Sequence, residues 1–300
     1  MELIVIALGG NAISKRNESL TVENQYRNIH ATTKLIAKLA GKYRLVIVHG
    51  NGPQVGLLAL QNDAYQAVPA YPLDILVAQT QGMLGYMIGQ SLQQQETVKQ
   101  VVTLLTQVEV ASDDPAFSNP TKFIGPVYDP KDQQHLQSQY GWTFKADGKA
   151  IRRVVPSPKP QKILEIDTIK KLLTDDNIVI CNGGGGIPVI KQKTGYTGVE
   201  AVIDKDHSAA QLAIQLKADH LMILTDADAV YENWGTQAQT ALRHVNTERL
   251  KPLAIDDGAI GPKVKSVIEF VNNTGNKAYI GNLTDIESLL AGIKGTIVTK

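Results

Sequence analysis

The chain has 300 residues, with 30 lysines and arginines against 29 aspartates and glutamates and a formal net charge of +1. This length allows one large domain or two moderate ones, and the balanced charge gives no electrostatic reason to expect nucleic acid or a membrane surface as a partner. The single cysteine, Cys181, excludes an intramolecular disulfide and a cysteine-based zinc site. The first residues lack the charged region and cleavage site of a signal peptide, so we expect a soluble cytoplasmic protein.

Short apolar runs alternate with helical patterns along the chain, and Thr21 is the predicted N-cap of the first helix. In chain order we predict a strand at 3–8, a helix at 21–40, a strand at 44–49, a helix at 75–95, strands at 100–108 and 178–181, a helix at 207–217, a strand at 221–225, a helix at 263–273 and closing strands at 278–281 and 295–299. This alternation predicts an α/β fold with a mostly parallel sheet covered on both faces.

One region, 115–160, interrupts the alternation. It holds seven of the 13 prolines, together with turn dipeptides and a cluster of lysine and arginine. Four aromatic residues make it too apolar for a linker: Phe123, Tyr128, Trp142 and Phe144. We therefore predict a small protruding subdomain inserted into the sheet domain.

Three of the predicted strands end in glycine and asparagine, at Gly9-Gly10-Asn11, Gly50-Asn51-Gly52 and Asn182 with Gly183–Gly186. Ligands bind at the carboxyl ends of parallel strands, and glycine brings backbone N–H groups within reach of an anion. Any one of these turns could be only a tight connection, but three together predict a site for a phosphate-sized anion. For the four-glycine run we expect at least one Gly→Ala substitution to lower kcat/KM by roughly tenfold with little change in melting temperature.

Better-known motifs are absent. The sequence contains neither a P-loop nor the signature motifs of a protein kinase. The stretch "GNGPQVG" is a weak dinucleotide fingerprint, because the nearest acidic residue, Asp74, does not follow a predicted strand. His49 has no second histidine at metal-ligand spacing, so we predict a turn or core histidine.

Two lysines stand at predicted helix starts in the second half of the chain. Lys205 lies between Asp204 and Asp206, and Lys263 follows a Gly/Pro turn. A lysine at a helix N-terminus is unfavourable against the helix dipole, so an anion is expected to join it. Phosphoryl transfer needs such cations, and an aspartate between two lysines could hold both ammonium groups. The alternative is that both lysines are ordinary solvated side chains.

Blocks along nearly the whole chain resemble the carbamate kinase family, within the amino acid kinase superfamily. They are "ALGGNA", "HGNGPQVG", "QTQGMLGY", "NPTKFIGPVY", "RRVVPSPKP", "GGGGIPV", "GVEAVIDKD" and "LTDADAVY", in that family's order. The resemblance implies reversible phosphoryl transfer between ATP and carbamate, giving ADP and carbamoyl phosphate with magnesium. In that family the reaction usually runs toward ATP in the fermentation of arginine or related compounds.

The resemblance also implies an architecture and a set of site residues. It implies a homodimer of three-layer αβα subunits, each a single domain (1–300) with a carbamate-binding lobe (1–198) that carries the subdomain and a nucleotide-binding lobe (199–300). The implied roles are catalysis for Lys205, Lys263, Asp206 and Lys122; substrate binding for Gly9, Gly10, Asn11, Gly50, Asn51 and Gly52; phosphate binding for Gly183, Gly184 and Gly185; and nucleotide binding for Thr225, Asp226, Asp228, Tyr231, Gly258 and Ile260. Magnesium is expected mainly on phosphate oxygens, so no protein metal ligands are predicted.

Two alternatives stay open. A sister kinase could phosphorylate another carboxylate, such as acetylglutamate, or a phosphate, as UMP kinase does. A catalytically silent sensor of nucleotide or carbamoyl phosphate is the second, although the intact Lys205, Asp206 and Lys263 argue against it. Since carbamate is already an anion, its attack needs no strong general base. No histidine or cysteine is placed as a nucleophile, so we expect no covalent phosphoenzyme.

Overall fold

The computed structural model describes residues 1–15, 18–174, 176–255 and 260–300. In these ranges the helices are α1 (Val22–Ile36), α2 (Gly52–Ala64), α3 (Leu73–Gln93), α4 (Gln133–Tyr140), α5 (Ile166–Leu172), α6 (Lys205–Leu216), α7 (Thr247–Leu250), α8 (Gly261–Thr274) and α9 (Ile286–Leu290). The strands are β1 (Leu3–Leu8), β2 (Arg44–His49), β3 (Gln100–Thr103), β4 (Gln107–Val110), β5 (Lys122–Tyr128), β6 (Thr143–Asp147), β7 (Ala150–Val155), β8 (Pro160–Ile163), β9 (Asn177–Ile180), β10 (Ile187–Lys191), β11 (Tyr196–Gly198), β12 (His220–Thr225), β13 (Val230–Glu232), β14 (Thr240–Leu242), β15 (His244–Asn246), β16 (Lys277–Asn282) and β17 (Thr296–Thr299).

The central sheet has the strand order β15-β17-β16-β12-β1-β2-β9-β3. The six strands from β16 to β3 run parallel, and β17 is antiparallel to β16. Every residue of β1 is buried, because the strand lies in the middle of the sheet and helices cover both faces. This explains why the central strands are continuous apolar runs rather than alternating ones.

Alternate residues of β1 belong to two separate cores. Val5 and Ala7 pack with the buried faces of α6 and α8, whereas Ile4, Ile6 and Leu8 pack with those of α1 and α3. The predicted α/β sandwich of three layers with a mostly parallel sheet is thereby confirmed. Thr21 caps α1 as expected, since its Oγ1 accepts a hydrogen bond from the backbone N–H of Asn24.

Two local predictions differ from the structure. The single strand predicted at 100–108 is two strands: β3 forms the edge of the central sheet, and β4 belongs to a second sheet of order β11-β10-β4-β8. The chain changes sheets at Thr106. Its backbone N–H and C=O both bond to the side chain of Gln81 in α3, and its C=O also accepts from the N–H of Ile187 at the start of β10. Helix α2 was not predicted, because it begins with "GPQVG", and glycine and proline are usually signs of a turn. Proline is nevertheless tolerated in the first turn of a helix, where Pro53 lies.

The segment predicted to form a subdomain folds into an antiparallel sheet of its own, with order β5-β7-β6, and the short helix α4. We call this sheet with α4 the flap. It rests on α2 where Gly56 faces Gly125, and a side chain at Gly56 would overlap the backbone of Gly125. The division of the domain into two lobes stays a prediction.

Within the described residues, no helix is both long enough and apolar enough to cross a membrane.

Candidate active site

The carboxyl ends of four neighbouring parallel strands meet at one edge of the central sheet. In sheet order these strands are β12, β1, β2 and β9. The edge therefore carries Thr225-Asp226, Gly9-Gly10-Asn11, Gly50-Asn51-Gly52 and the turn after Asn182. Gly9 passes so close to β12 that a Cβ there would lie 2.8 Å from the carbonyl oxygen of Leu224. The sequence-predicted turns are thus adjacent in space.

The first turn of α6 brings a carboxylate between two ammonium groups. Asp204 caps the helix by accepting hydrogen bonds from the backbone N–H groups of Asp206 and His207. Lys205 Nζ bonds to Oδ1 of Asp206, and Lys263 Nζ, from the start of α8, lies 2.9 Å from Oδ2 of the same carboxylate. Asp206 is 2% exposed, so its interaction with both lysines is shielded from water.

The pKa values around Asp206 follow from this sharing. Burial alone would raise the pKa of Asp206, but the ammonium groups of Lys205 and Lys263 outweigh it, and the pKa is lowered. Burial lowers the pKa of Lys205, and repulsion from the ammonium group of Lys263 lowers it further. For Lys263 the effect of burial is outweighed by the Asp206 carboxylate, so its pKa is raised.

A third lysine joins the cluster from the flap. Lys122, at the start of β5, places its Nζ 2.5 Å from Oδ2 of Asp204. Burial would raise the pKa of Asp204, but nearby positive charge, above all that of Lys122, holds this pKa well below its usual range. We call Lys122, Lys205 and Lys263 with Asp204 and Asp206 the lysine cluster. Three ammonium groups against two carboxylates leave one positive charge, which an anion would balance.

Two cavities adjoin the cluster. One of about 600 Å³ is lined by Gly9, Gly10 and Asn11, by α1 and by Lys205. The other, of about 320 Å³, is lined by apolar groups that include Ile260 and the ring pair Tyr231 and Trp234, whose centroids are 5.1 Å apart. Both cavities share Thr225, Asp226 and Lys263. An apolar cavity with aromatic rings, beside an ammonium group, suits a base with phosphates attached.

Comparison with known proteins agrees with this geometry. The amino acid kinase family model matches residues 2–282. The chain belongs to the amino acid kinase family. It is similar to a carbamate kinase of Escherichia coli strain K12, at 56% identity over 299 residues and 100% of both chains. It also resembles the Giardia lamblia carbamate kinase structures bound to citric acid (TM-score 0.93) and to AMP-PNP (TM-score 0.89), each at 36% identity over 100% of this chain and 98% of the other.

The predicted nucleotide-binding residues of this amino acid kinase fall into three groups. Thr225, Asp226, Tyr231 and Ile260 line the smaller cavity. Asp228 lines neither cavity; it accepts a hydrogen bond from the Tyr231 hydroxyl at 2.7 Å and pairs with Arg243. Gly258 lies outside the described residues.

The second glycine turn of this kinase meets the lysine cluster rather than the cavities. A Cβ at Gly50 would lie 3.3 Å from Cδ of Lys205, and one at Gly52 would lie 3.8 Å from the carbonyl oxygen of Phe123, the neighbour of Lys122. The turn therefore sits between α6 and the flap. Its role in substrate binding remains a prediction.

The four-glycine turn has a packing reason that the sequence did not reveal. Gly183–Gly186 are buried and line neither cavity. A side chain at Gly183 would overlap His49, one at Gly184 would overlap Asn51, and one at Gly185 would overlap the backbone of Ile203. Gly186 is equally crowded, by Val108. The structure therefore gives no basis for the expectation that a Gly→Ala substitution here lowers kcat/KM with little change in melting temperature. Phosphate binding by Gly183, Gly184 and Gly185 stays a prediction.

Three groups near the site were not given roles from the sequence. Asp204 was noted only as a neighbour of Lys205, and its bond to Lys122 joins segments 82 positions apart. Thr80, in α3, accepts a hydrogen bond from Asn51; it lies within the block "QTQGMLGY", but that resemblance assigns it no role. Trp234 also lines the smaller cavity, and it lies just beyond the block "LTDADAVY", so no motif predicts it. His49 is a core histidine, as predicted.

Proposed function

We propose that this protein is a carbamate kinase, which transfers a phosphoryl group reversibly between ATP and carbamate and gives ADP and carbamoyl phosphate. The observation that carries the proposal is the Asp206 carboxylate held between Lys205 and Lys263. Lys263 lines both cavities, and Lys205 lines the larger one together with the glycine turn of β1. Likeness to carbamate kinases over the full chain supports the choice of acceptor.

In this mechanism the nucleotide base occupies the smaller cavity, against Tyr231 and Ile260, and its phosphates extend toward Lys263. A carboxylate oxygen of carbamate attacks the γ-phosphorus, a new O–P bond forms, and the bond to the β-phosphate oxygen breaks to release ADP. Charge on the transferring oxygens is stabilised by Lys205 and Lys263, which Asp206 keeps in place. Lys122, carried by the flap, neutralises carbamate.

No proton has to be removed from carbamate, so the step needs no general base. Two buried side chains near the strands of the central sheet support this proposal. His49 is buried, and burial lowers its pKa to about 4. Cys181 is also buried, and burial raises the pKa of its thiol. Neither is suited to act as a nucleophile, so we propose direct transfer without a phosphoenzyme.

We propose that magnesium accompanies the nucleotide. Among the described residues there is no group of three or more histidine, cysteine, aspartate or glutamate side chains that could hold a metal ion. Magnesium often binds through substrate phosphates and one or two carboxylates, and the exposed Asp226 at the junction of the cavities fits that donor set. When bound, the ion would spread the negative charge of the phosphates.

We further propose that the protein is a cytoplasmic homodimer that works toward ATP, in the catabolism of arginine or a related compound. The resemblance to carbamate kinases is the basis for the direction and the pathway. An exposed apolar surface supports self-association: Tyr71, Ile75 and Tyr86, at and before α3, are each more than 40% exposed.

The deciding experiment measures ATP formed from ADP, magnesium and carbamoyl phosphate. The proposal expects turnover that depends on magnesium and on Lys205. ATP consumption with acetylglutamate or UMP as acceptor tests the sister-kinase alternatives in the same preparation. Faster turnover with either, or binding of carbamoyl phosphate without any turnover, would refute the proposed function.

A further inference from the structure

Hydrogen bonds fix the direction in which the Asn51 amide faces. Its Nδ2 donates to Thr80 Oγ1 at 2.8 Å, and the Thr80 hydroxyl donates to the carbonyl oxygen of Val77, also at 2.8 Å. A carbonyl oxygen can only accept, so the single hydroxyl proton is used there and Thr80 Oγ1 is left as an acceptor. The Asn51 atom beside Thr80 is therefore the nitrogen, and Oδ1 faces the other way.

Gly184 packs directly against the same amide. A side chain at this position would overlap Asn51, with Nδ2 the nearest atom. Gly184 has a φ of 64°, a left-handed conformation that favours glycine. Thr80 is 0% exposed and Asn51 3% exposed. Turning the amide over would put its oxygen against the Thr80 hydroxyl oxygen, which is an acceptor. The buried Thr80 Oγ1 would then lose its N–H donor.

The free end of the amide is a bare acceptor at the site. No group in the described part of the chain donates a hydrogen bond to Oδ1 of Asn51. This oxygen is also not one of the fully buried side-chain atoms that lack a partner, so it keeps some exposure. It belongs to the turn that meets Lys205 through Gly50 and the flap through Gly52. Such an acceptor oxygen repels the oxygens of an anion and attracts an N–H donor.

We propose that Thr80 is a positioning residue that keeps Asn51 Oδ1 turned toward the phosphoryl acceptor, and that this oxygen selects acceptors that carry an amino group. The inference rests on the proposed function and adds a source of specificity to it. Carbamoyl phosphate and acetyl phosphate have the same shape and differ in an amino group against a methyl group. A buried oxygen that bonds the N–H is left unpaired by the methyl group, which penalises the second compound.

The test compares ATP formation from carbamoyl phosphate with ATP formation from acetyl phosphate. Thr80→Val keeps the shape of the side chain but cannot accept a hydrogen bond, whereas Thr80→Ser restores the hydroxyl. In Thr80→Val we expect the ratio of the two kcat/KM values to fall by at least about fivefold, the scale of one hydrogen bond. The ratio should return in Thr80→Ser, and the KM for ADP should not change.

A matched control is Thr33→Val, which removes another buried hydroxyl, one bonded to Ser91 instead of to Asn51. It should leave the ratio unchanged. An unchanged ratio in folded Thr80→Val, or a loss that serine does not restore, would overturn the proposal, and Thr80→Ala gives the same comparison if valine prevents folding. A wild-type protein that makes no ATP from carbamoyl phosphate refutes the proposed function itself, whereas an active wild type with an unchanged ratio refutes only the role of Thr80.

Discussion

Burial of His49 should make the stability of this protein fall in mild acid. The side chain is 1% exposed, and burial lowers its pKa from the ordinary 6.5 to about 4, although the hydrogen bond to the Gly50 carbonyl opposes part of the shift. In the unfolded chain the ordinary pKa returns. Between these two pKa values, the unfolded chain therefore binds a proton that the folded protein refuses.

The sign and size of the effect follow from proton linkage. Stability rises with pH wherever the unfolded state binds more protons, so the contribution of neutral His49 is complete above pH 6.5 and is lost as the pH falls toward 4. With these two pKa values, lowering the pH from 7 to 5 removes about 2 kcal/mol from the free energy of unfolding. Against the 5–15 kcal/mol that is typical of whole proteins, about 2 kcal/mol is measurable.

The assay is urea unfolding of the wild type and His49→Asn at both pH values. Asparagine keeps a nitrogen near the position of Nδ1, which can donate to Gly50, and it does not titrate. We expect the wild type to lose about 2 kcal/mol more than His49→Asn over this pH interval. His30→Asn removes an exposed histidine and should lose as much as the wild type. Equal losses in the wild type and His49→Asn would show that His49 titrates normally, and the reasoning from burial would be refuted.

The other predictions concern the lysine cluster and the glycine turn. Lys205→Ala and Lys263→Ala should each lower kcat by roughly 10²–10³, the scale for losing one transition-state contact, as measured by steady-state ATP formation. Lys122→Ala should raise the KM for carbamoyl phosphate much more than the KM for ADP, because this lysine reaches the site from the flap. Gly184→Ala should lower the free energy of unfolding by about 2–4 kcal/mol in urea titrations, through its left-handed backbone and the displaced Asn51 amide.

Each substitution has a control within the chain. Lys265→Ala changes an exposed lysine of α8, and a similar kcat loss there would show that surface charge alone is responsible. Lys145→Ala changes an exposed lysine of the flap and is the control for Lys122→Ala. If Lys122→Ala changed the KM for carbamoyl phosphate and the KM for ADP equally, Lys122 would have a folding role instead. Gly195→Ala introduces the same methyl group at an exposed position that is also left-handed, with φ of 78°, but has open space around it, so it should cost only the backbone strain, about 1–2 kcal/mol. A Gly184→Ala protein as stable as Gly195→Ala would contradict the packing argument.

The central layers could be predicted because their physics is local. A strand buried on both faces must be apolar throughout, and helices on a sheet must repeat their apolar residues every three or four positions. Thr21 illustrates the same locality, since an N-cap needs only its own side chain and the N–H three residues later. The hydrogen bonds between the Gln81 side chain of α3 and the backbone of Thr106 join segments distant in the sequence. They divide the region into two strands, so the single strand predicted at 100–108 was wrong.

The site was only partly predictable for a related reason. The turns at Gly9 and Gly50 follow buried strands, so the topology of a parallel sheet suffices to bring them together. The four glycines after Asn182 were noticed, but their number does not say what fills the space where their side chains would be. Only the folded chain shows that His49, Asn51 and Ile203 occupy it. A costly run of glycine is thus evidence of close approach, and the approaching group can be protein as well as ligand.

Asp204 shows how charge ties these separate parts into one site. One of its oxygens caps the helix that carries Lys205 and Asp206, and the other holds Lys122 of the flap. Removing either ion-pair partner would leave an uncompensated charge in a poorly solvated place, which is far more costly than losing an exposed pair. Lys122 of the flap is therefore coupled to Lys205 and Lys263 before any substrate binds. Because the lysine cluster still carries one positive charge in excess, an arriving anion completes the charge balance, and its binding is favoured by the residues that would then stabilise the transferring phosphoryl group.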